Sequence, residues 1–521
     1  MNKLLACLGK AVKSVLTGFD RIVFKGTILP LAHEDGATRF LRWRGVLNRD
    51  YKKWMLAQTD ALVTSVDRIA REQSGRPITH LNTWRMDKEK LARKRQKQTG
   101  IETGLIGVWS CLESCWSYRA HYCAEKGYPQ LHRYTTQCKH LYLYLDHERY
   151  GWMNVRLQTW FPYHIQIALN GREWLRRRLE ARHVDFLRQG NKFLHVEDYA
   201  LAQRFLSQQL DRQWPRLLNR FLRTAFPTMP LTLGPHLSYY WTLWQSEWAT
   251  DLIVETPTEL TATMASLLRH AWITGNSTRV LRYLGRPLTV AGRPDGRSHN
   301  EVMSRVLDFH DGLRVRHWVD RNSVKVYNEQ NVLRIETTIN APNMFQVYRR
   351  AQGQPPHTPK RLRPLRKGVA DIPLRAKVSQ EVNERMMNEL SSFSHQTPLS
   401  DLLAPYVHSR TKEGRRVRAL DLSGKDRELL QAISDPSFTV SGITNAALRK
   451  KLGTTSWGAG RTDRQLSARV SRHLRLLRDH GLIRKLPNRH RYHLTNNGRQ
   501  LTSALHAMLS ASTKQLLDTA A

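Results

Sequence analysis

The chain has 521 residues, of which 40% are hydrophobic and 9% aromatic, and it carries 83 Lys and Arg against 44 Asp and Glu. This length and apolar content exclude a disordered polypeptide and allow several cores, so we expect a multidomain protein. The formal charge of +39 and the isoelectric point near 10.5 exceed what solubility requires and predict a polyanionic partner.

Three further observations bear on the partners, the compartment and the oligomeric state of the protein. No run approaches the roughly 18 apolar residues that a membrane helix needs, so we expect no membrane partner. Five cysteines, an odd number in a large chain, favour a reducing compartment, and we expect a cytoplasmic protein. The segment after Leu501 is short for a dimerisation helix, which slightly favours a monomer.

The first predicted domain, residues 1–197, is a mixed sheet with helices. Its beginning, up to Leu16, is predicted as an amphipathic helix. Short apolar runs bounded by turn residues predict strands at Arg21–Phe24, Gly104–Cys111, Leu141–Leu145, Trp152–Trp160 and Ile165–Leu169, then a hairpin over Phe186–Val196. The predicted helices are Tyr51–Glu72, Asp87–Gln98 and Glu173–Arg182, the last capped by Asn170.

Two further domains are predicted between residues 198 and 348. Residues 198–285 are predicted to be helical, because residues recur at helical spacing in segments that prolines separate. The expected helices are Tyr199–Gln213, Pro215–Phe226, Ser238–Ala249 and Thr258–Ile273. Residues 286–348 combine a helix around Asn300–Phe309 with strands at Leu313–Trp318, Ser323–Tyr327 and Val332–Ile339. The predicted fold class is therefore multidomain α+β.

The fourth predicted region, residues 349–420, begins as a basic linker. Between Arg349 and Lys377, five prolines and nine basic residues accompany a single acid, Asp371. Such a segment is semi-extended and resists packing, so it can lie along a phosphate backbone. The expected phosphate contacts are Arg361, Arg363, Arg366 and Lys367. A helix near Ser379–Phe393 and a polar stretch complete the region.

The last predicted domain, residues 421–521, has the element order of a winged helix. Its expected helices are Asp426–Ser434, Asn445–Leu452, Arg464–His480 and one from about Asn497, with strands at Leu482–Leu486 and Tyr492–Thr495. In the third helix the apolar stripe is Leu466, Val470, Leu474 and Leu477, and Gly481 ends the helix. The candidate nucleic-acid contacts off this stripe are Arg469, Arg472, Arg475 and Arg478, joined by Arg489 and Arg491 of the hairpin.

The string VSRHLRLLRDHGLIRKLPNRHRYHLT, residues 470–495, resembles the recognition helix and wing of MarR-type and ArsR-type winged-helix regulators. The resemblance covers roughly a fifth of the chain. It implies a helix that enters the major groove of duplex DNA, although winged helices also serve as docking modules.

A second string lies in the predicted strand pair before the linker. The segment from Asn322 to Glu336 resembles a strand pair of rolling-circle replication initiators, which nick one DNA strand with a tyrosine and a bound divalent metal. The resemblance implies Lys325, Tyr327, Arg334 and Glu336 as corresponding residues, with Tyr327 as nucleophile and Glu336 as a metal ligand. The His-hydrophobic-His pair of most such nickases is absent, so only subfamilies that bind metal with carboxylates fit.

Phosphodiester cleavage needs carboxylates that hold Mg²⁺ or Mn²⁺ at the phosphate. The acids that stand out are Asp20, Glu113 and Glu336, in or beside apolar strands, and Glu247 and Asp251, spaced to share a helix face. We take Glu336, Tyr327 and Asp20 as the candidate catalytic residues, with the metal-ligand set undefined. A structural ion pair with one of the many arginines is the alternative for each acid, so the sequence leaves enzyme activity undecided.

The cysteines give a weaker signal. Structural zinc sites usually offer two close pairs of ligands, and only Cys111 and Cys115 form such a pair here. The other candidate ligands are Cys123, Cys138, His121, His132 and His140. The spacing disfavours zinc and favours buried thiols.

Three functions remain open on the sequence. The first is a nucleic-acid-binding protein that contacts duplex DNA through the winged helix. The second is a mobile-element or replication-initiator-type nuclease with a carboxylate-bound divalent metal. The third is an RNA-binding protein of a ribonucleoprotein, since a charge of +39 fits structured RNA as well as DNA.

Overall fold

The computed structural model describes residues 12–227, 237–258, 302–309, 312–390, 399–435, 442–486 and 490–510, with the single positions 234, 260, 267, 280, 281, 283, 284 and 438. Within them the chain is mixed α/β. It divides into a sheet unit, Ala11–Thr261 with Val326–Asn383, and a C-terminal unit, Ala262–Lys325 with Glu384–Ala521 and residues 1–10. The five-part division of the sequence follows chain order and stays a prediction.

The elements are numbered along the chain. The strands are β1 (Val12–Thr27), β2 (Thr79–His80), β3 (Gly104–Cys123), β4 (Tyr128–His147), β5 (Gly151–Gln158), β6 (Ile165–Asn170), β7 (Phe186–Gln189), β8 (Lys192–Val196), β9 (Tyr240–Val254), β10 (Val302–Phe309), β11 (Gly312–Val319), β12 (Asn322–Glu329), β13 (Val332–Ile339), β14 (Gln346–Arg349), β15 (Arg361–Pro364), β16 (Arg410–Lys412), β17 (Arg415–Val417), β18 (Ile483–Lys485) and β19 (Tyr492–Leu494). The helices are α1 (Glu34–Trp43), α2 (Tyr51–Ser74), α3 (Lys88–Thr99), α4 (Gly171–Glu180), α5 (Tyr199–Ser207), α6 (Trp214–Ala225), α7 (Ile372–Leu390), α8 (Leu399–Val407), α9 (Arg427–Ile433), α10 (Asn445–Leu452), α11 (Asp463–Asp479) and α12 (Asn496–Ser510).

The sheet unit is built on one large sheet. Its described strands follow the order β13-β9-β1-β6-β5-β4-β3-β2, and neighbours are antiparallel except β2 and β3. Helices cover the sheet and bury apolar side chains against those of the strands. The buried helix side chains include Phe40, Met55, Trp174, Leu218 and Ile372. The large apolar area removed from water in this core is the main stabilising contribution.

Helix α7 packs on one side of β9 and β13. The buried Asn383 amide donates to the backbone oxygen of Ile335 and to the Thr250 hydroxyl, and its oxygen accepts from Thr337 Oγ1 at 2.6 Å. Trp248 and Thr250 of β9 contact Gln380 of this helix, so Glu247 and Asp251 point away from it, because successive side chains of a strand alternate between faces. They therefore meet other elements on the opposite side of the sheet.

Three predicted elements are wrong. Ser238–Ala249 was expected as a helix, and most of it lies in β9, which pairs with β1 and β13. The helix expected around Asn300–Phe309 is strand β10, paired with β11. Of the helix expected up to Leu16, residues 12–16 lie in β1. The tryptophans at 241, 244 and 248 repeat at intervals of three and four, which mimics a helical stripe in a strand that is buried on both faces.

The basic linker is more ordered than its composition indicated. Strands β14 and β15 form a hairpin, and α7 begins at Ile372, well before the predicted Ser379. The prolines at 355, 356 and 359 lie in the loop between the two strands, and Pro373 lies in the first turn of α7, where no backbone donor is needed. The prediction that the whole segment resists packing is therefore wrong.

The C-terminal unit has its own core, which runs from Tyr406 to Leu505. The predicted stripe of α11 is buried, Thr462 and Gln465 form a capping box at its start, and Gly481 follows its end with φ +71°. Helices α9, α10, α11 and α12 and the hairpin β18–β19 begin within two residues of their predicted positions. The predicted helix Thr258–Ile273 and the tip residue Arg489 lie outside the described residues, apart from 258, 260 and 267.

Candidate metal centre and nucleic-acid interface

Three of the carboxylates that the sequence pointed to converge on one side of the sheet. Asp20 lies at a bulge of β1, because its register with β9 shifts between Phe19 and Arg21. Glu247 lies on the neighbouring β9 and Glu336 on β13. One oxygen of each of these carboxylates lies within 4.8 Å of the others, close enough to hold one ion. Bulges commonly re-aim a side chain next to a functional site.

A buried arginine joins two of the acids in this region. Arg334, 1% exposed, donates from Nη1 to Asp20 Oδ1 at 2.8 Å and forks Asp251 at 2.5 and 2.8 Å. Burial alone would lower the pKa of Arg334, but Asp251 and Asp20 outweigh it and raise that pKa well above its ordinary value. Asp251 is therefore the counter-ion of Arg334, as the structural alternative foresaw.

A second arginine, Arg172 at the start of α4, is completely buried beside the first. Its Nη2 lies 3.0 Å from Asp251 Oδ2, whereas Nε and Nη1 have no hydrogen-bond partner. Burial lowers the pKa of Arg172, and Asp251 offsets this only in part. The neighbouring Arg334 lowers the pKa of Arg172 further, and Asp20, whose Oδ1 lies 3.9 Å from Arg172 Nε, opposes this lowering. Nothing in the sequence distinguishes Arg172 from the other 82 lysines and arginines.

Tyr327 completes the group that the sequence predicted. Its hydroxyl donates to Glu336 Oε2 at 3.3 Å, and the Tyr327 side chain is 6% exposed. Asn191, in the turn between β7 and β8, donates to Asp20 Oδ2 at 3.1 Å, and sequence reasoning missed it. Lys325 lies on the same strand as Tyr327, in β12.

We call Asp20, Glu247, Asp251, Glu336, Arg172 and Arg334 the acid cluster. Asp20 and Glu336 are buried and Glu247 is half-buried, and buried carboxylates are costly unless cations or hydrogen bonds compensate them. Oxygen ligands of this kind fit Mg²⁺ or Mn²⁺. Glu247 and Asp251 share a face although the predicted helix is wrong, because a spacing of four is also a multiple of the strand period of two.

Glu113 does not belong to the acid cluster. It accepts from the Tyr142 hydroxyl, from Cys111 Sγ at 3.1 Å and from Arg156 Nη2 at 2.5 Å. Burial disfavours its charged form, but Tyr142 and Arg156 outweigh burial and lower the pKa of Glu113 to about 2. Its role is structural, and the hypothesis that it binds a catalytic metal is not supported.

The cysteines form no three-ligand group with histidines in the part of the chain that the structure describes. The Cys115 and Cys138 sulfur atoms are 3.1 Å apart across β3 and β4, and His140 Nδ1 lies 3.9 Å from Cys138. Hydrogen bonding to Cys138 lowers the pKa of Cys115. Cys111 and Cys138 are buried, whereas Cys115 and Cys123 are half-buried.

The candidate nucleic-acid interface lies on α11. Arg472, Arg475 and Arg478 are exposed, whereas Arg469 stacks 3.9 Å from the Trp457 ring and donates to the Trp457 backbone oxygen at 2.9 Å. Burial and the nearby Arg461 lower the pKa of Arg469. Three of the four predicted arginines are thus available to a ligand, and Arg469 mainly fixes Trp457.

These arginines line an open groove of about 1170 Å³. Its walls are α11, the turn at 459–461 and the hairpin β16–β17, which lies in the stretch predicted to be merely polar. Nine cations and two acids line the groove, so it carries a strong positive potential. The cations are Lys412, Arg415, Arg416, Arg418, Arg461, Arg469, Arg472, Arg475 and Arg478.

The other predicted contacts have mixed environments. Arg366 forks Asp371 at 2.7 and 2.9 Å, so it has a structural partner, and its role as a phosphate contact stays a prediction. Lys367 Nζ lies 4.5 Å from the centre of the Trp244 ring. Arg361 is exposed at the start of β15, while Arg363 and Arg491 are half-buried.

Comparison of the chain with protein-family models, curated proteins and solved structures found no match. Its function must therefore be argued from the geometry of its own residues. No helix among the described residues has both the length and the apolar character to cross a membrane.

Proposed function

We propose that this chain is a DNA-binding protein whose residues 421–510 act as a winged helix, with α11 in the major groove of a duplex. The observation that carries the proposal is the division of α11 into two faces. Leu466, Val470, Leu474 and Leu477 are buried, and three arginines on the other face are exposed in a groove lined by cations. Arginine forks match both phosphates and the guanine edge.

The geometry favours duplex DNA over duplex RNA as the partner. The major groove of B-form DNA is about 12 Å wide and admits an α-helix, whereas that of A-form RNA is deep and narrow. A helix that presents arginines along its length, such as α11, therefore fits DNA better. Structured RNA remains the alternative and is an outcome of the test below.

The proposal is tested by selecting duplexes from a random library with the full chain. We expect the wild-type protein to enrich one sequence motif, and Arg472→Ala and Arg475→Ala to weaken binding to it by about 1–3 kcal/mol each where they reach base edges. Arg220→Ala, on the exposed face of α6, is the matched control and should leave enrichment unchanged. Equal binding of all sequences by wild type and variants, or preference for RNA, would overturn the proposal.

A second candidate function is metal-dependent strand cleavage in the sheet unit, and the observation that favours it is the acid cluster. Asp20, Glu247 and Glu336 would hold Mg²⁺ or Mn²⁺, whose charge stabilises a phosphate. Glu336 accepts the hydrogen bond of Tyr327 and so orients its hydroxyl, the candidate nucleophile. Arg334 holds Asp20 in place.

Two substitutions distinguish an acid cluster that binds metal from one that forms only structural ion pairs. If the cluster binds metal, Glu336→Gln should abolish Mn²⁺ binding in calorimetry and Mn²⁺-dependent nicking, while DNA binding persists. Tyr327→Phe should abolish any covalent protein–DNA adduct. The control is Asp251→Asn, which breaks a fully buried ion pair and should cost about 3–5 kcal/mol of unfolding free energy. Wild-type protein that neither binds Mn²⁺ nor cuts single-stranded, duplex or hairpin DNA would exclude the nuclease.

A further inference from the structure

The hairpin β16–β17 is a short arm with a tight turn. Its turn consists of Glu413 and Gly414, which both have positive φ, at 50° and 73°. Two successive residues in this region make the tight turn that matches the twist of antiparallel strands. Lys412 and Arg415 flank the turn as direct partners, so the arm ends in two cations on either side of Glu413 and Gly414.

The base of this arm is fixed to the elements that position α11. Arg418, just after β17, forks the buried carboxylate of Asp426 at 2.6 and 2.7 Å, and its backbone oxygen lies 2.8 Å from His480 Nε2. At the other strand, Arg410 donates to the backbone oxygen of Asp479, the last residue of α11. These contacts hold the arm beside the C-terminal end of α11.

The tip of the arm, in contrast, has few partners. Arg415 and Arg416 are exposed, and neither makes an ion pair within the described residues, whereas Lys412 lies 3.8 Å from Asp479 Oδ1. Both arginines line the same groove as Arg472 and Arg475 of α11. Exposed arginines held close together repel one another unless an anion lies between or against them.

We propose that β16–β17 is a second phosphate-binding arm that grips the DNA backbone next to the groove occupied by α11. The inference rests on the proposed DNA binding and adds a contact outside the wing β18–β19. A helix in a major groove has a row of phosphates along each of its sides, so a basic arm fixed beside α11 faces one of these rows. Contacts of this kind add affinity without sequence preference.

The test compares the salt dependence of binding to one fixed duplex and to a scrambled duplex, using the full chain. Removing two cations of the arm, Arg415→Ala with Arg416→Ala, should weaken binding to both duplexes alike. It should also flatten the slope of log affinity against log salt by up to about 0.9 for each lost phosphate contact. The matched control is Arg220→Ala with Arg223→Ala, an exposed pair on α6, which should change neither quantity.

Further variants keep the outcomes distinct. Arg415→Lys with Arg416→Lys keeps the charge and should restore most of the wild-type slope, which a loss caused by misfolding would not allow. If the arm variant keeps the wild-type slope while Arg472→Ala and Arg475→Ala lose sequence-specific binding, the arm is wrong and the proposed function stands. If the arm and α11 variants all bind as wild type does, the proposed function itself fails.

Discussion

At the scale of single residues, the buried arginines decide what the acids of the sheet can do. A buried ion pair repays the cost of desolvation only when its geometry is good. Arg334 has that geometry with Asp251 and Asp20, while Arg172 leaves two of its nitrogens without acceptors. Asp251 is therefore bound by both arginines. Asp20 shares Arg334 with Asp251, and it is Asp20 that lies close enough to Glu247 and Glu336 to hold an ion with them.

A test at the same scale concerns Glu113. The Tyr142 hydroxyl and Arg156 outweigh burial and hold the pKa of Glu113 at about 2, below the ordinary 4.5. Its charged form thus stabilises the fold above about pH 4.5, and this contribution is lost as the pH falls toward 2. We expect Glu113→Gln to lower Tm by about 2–4 °C at pH 7 and by less at pH 3. An equal loss at both pH values in thermal melts would contradict this account.

Residue patterns predicted part of the candidate site. The sequence singles out Asp20 and Glu336 as acids in or beside apolar strands, and Tyr327 through the resemblance to replication initiators. All three lie together with Glu247. The partners of Glu113 could not be foreseen, because Tyr142 and Arg156 come from 29 and 43 residues further along the chain. Arg172 and Asn191 carry no local signal, since their importance arises only when α4 and the β7–β8 turn pack against β1.

At the scale of elements, the basic linker contains two kinds of arginine. Arg366 forks the buried carboxylate of Asp371, whereas Arg361 is exposed. We expect Arg366→Ala to lower the free energy of unfolding in urea by on the order of 1–2 kcal/mol, a value reduced by its partial exposure. Arg361→Ala should leave unfolding unchanged and weaken binding to all duplexes slightly. The reverse pattern would contradict the ion-pair assignment.

Elements with strong local signals were predicted, and those that depend on distant partners were not. Helix α11 has its apolar stripe, its capping residues and Gly481 within one stretch of sequence, so its bounds could be expected. Strand β9 is a strand because β1 and β13 supply its hydrogen bonds, and Thr242 contacts Lys25, 217 residues away. Long-range pairing overrides a local resemblance to a helix.

At the scale of the whole molecule, the surplus charge of +39 is spread over both units. Each compact unit is assembled from segments that are far apart in the sequence, so its composition cannot be predicted from consecutive segments of the chain. Cations outside the C-terminal unit, including Arg361 and Lys367, accompany those of α11 and β16–β17. We therefore expect the affinity of the full chain for any duplex to fall steeply with salt, and its sequence preference to depend on α11 alone.

Contact between α11 and duplex DNA is tested most directly by photocrosslinking. Ala468 lies on the exposed side of α11 and lines the groove, so a p-benzoylphenylalanine placed there should crosslink to bound duplex DNA. The same residue in place of Ala57, exposed on α2, is the matched control and should not crosslink. We expect a covalent product from position 468 alone. Bound duplex that gives no product from position 468, or equal product from both positions, would contradict the account.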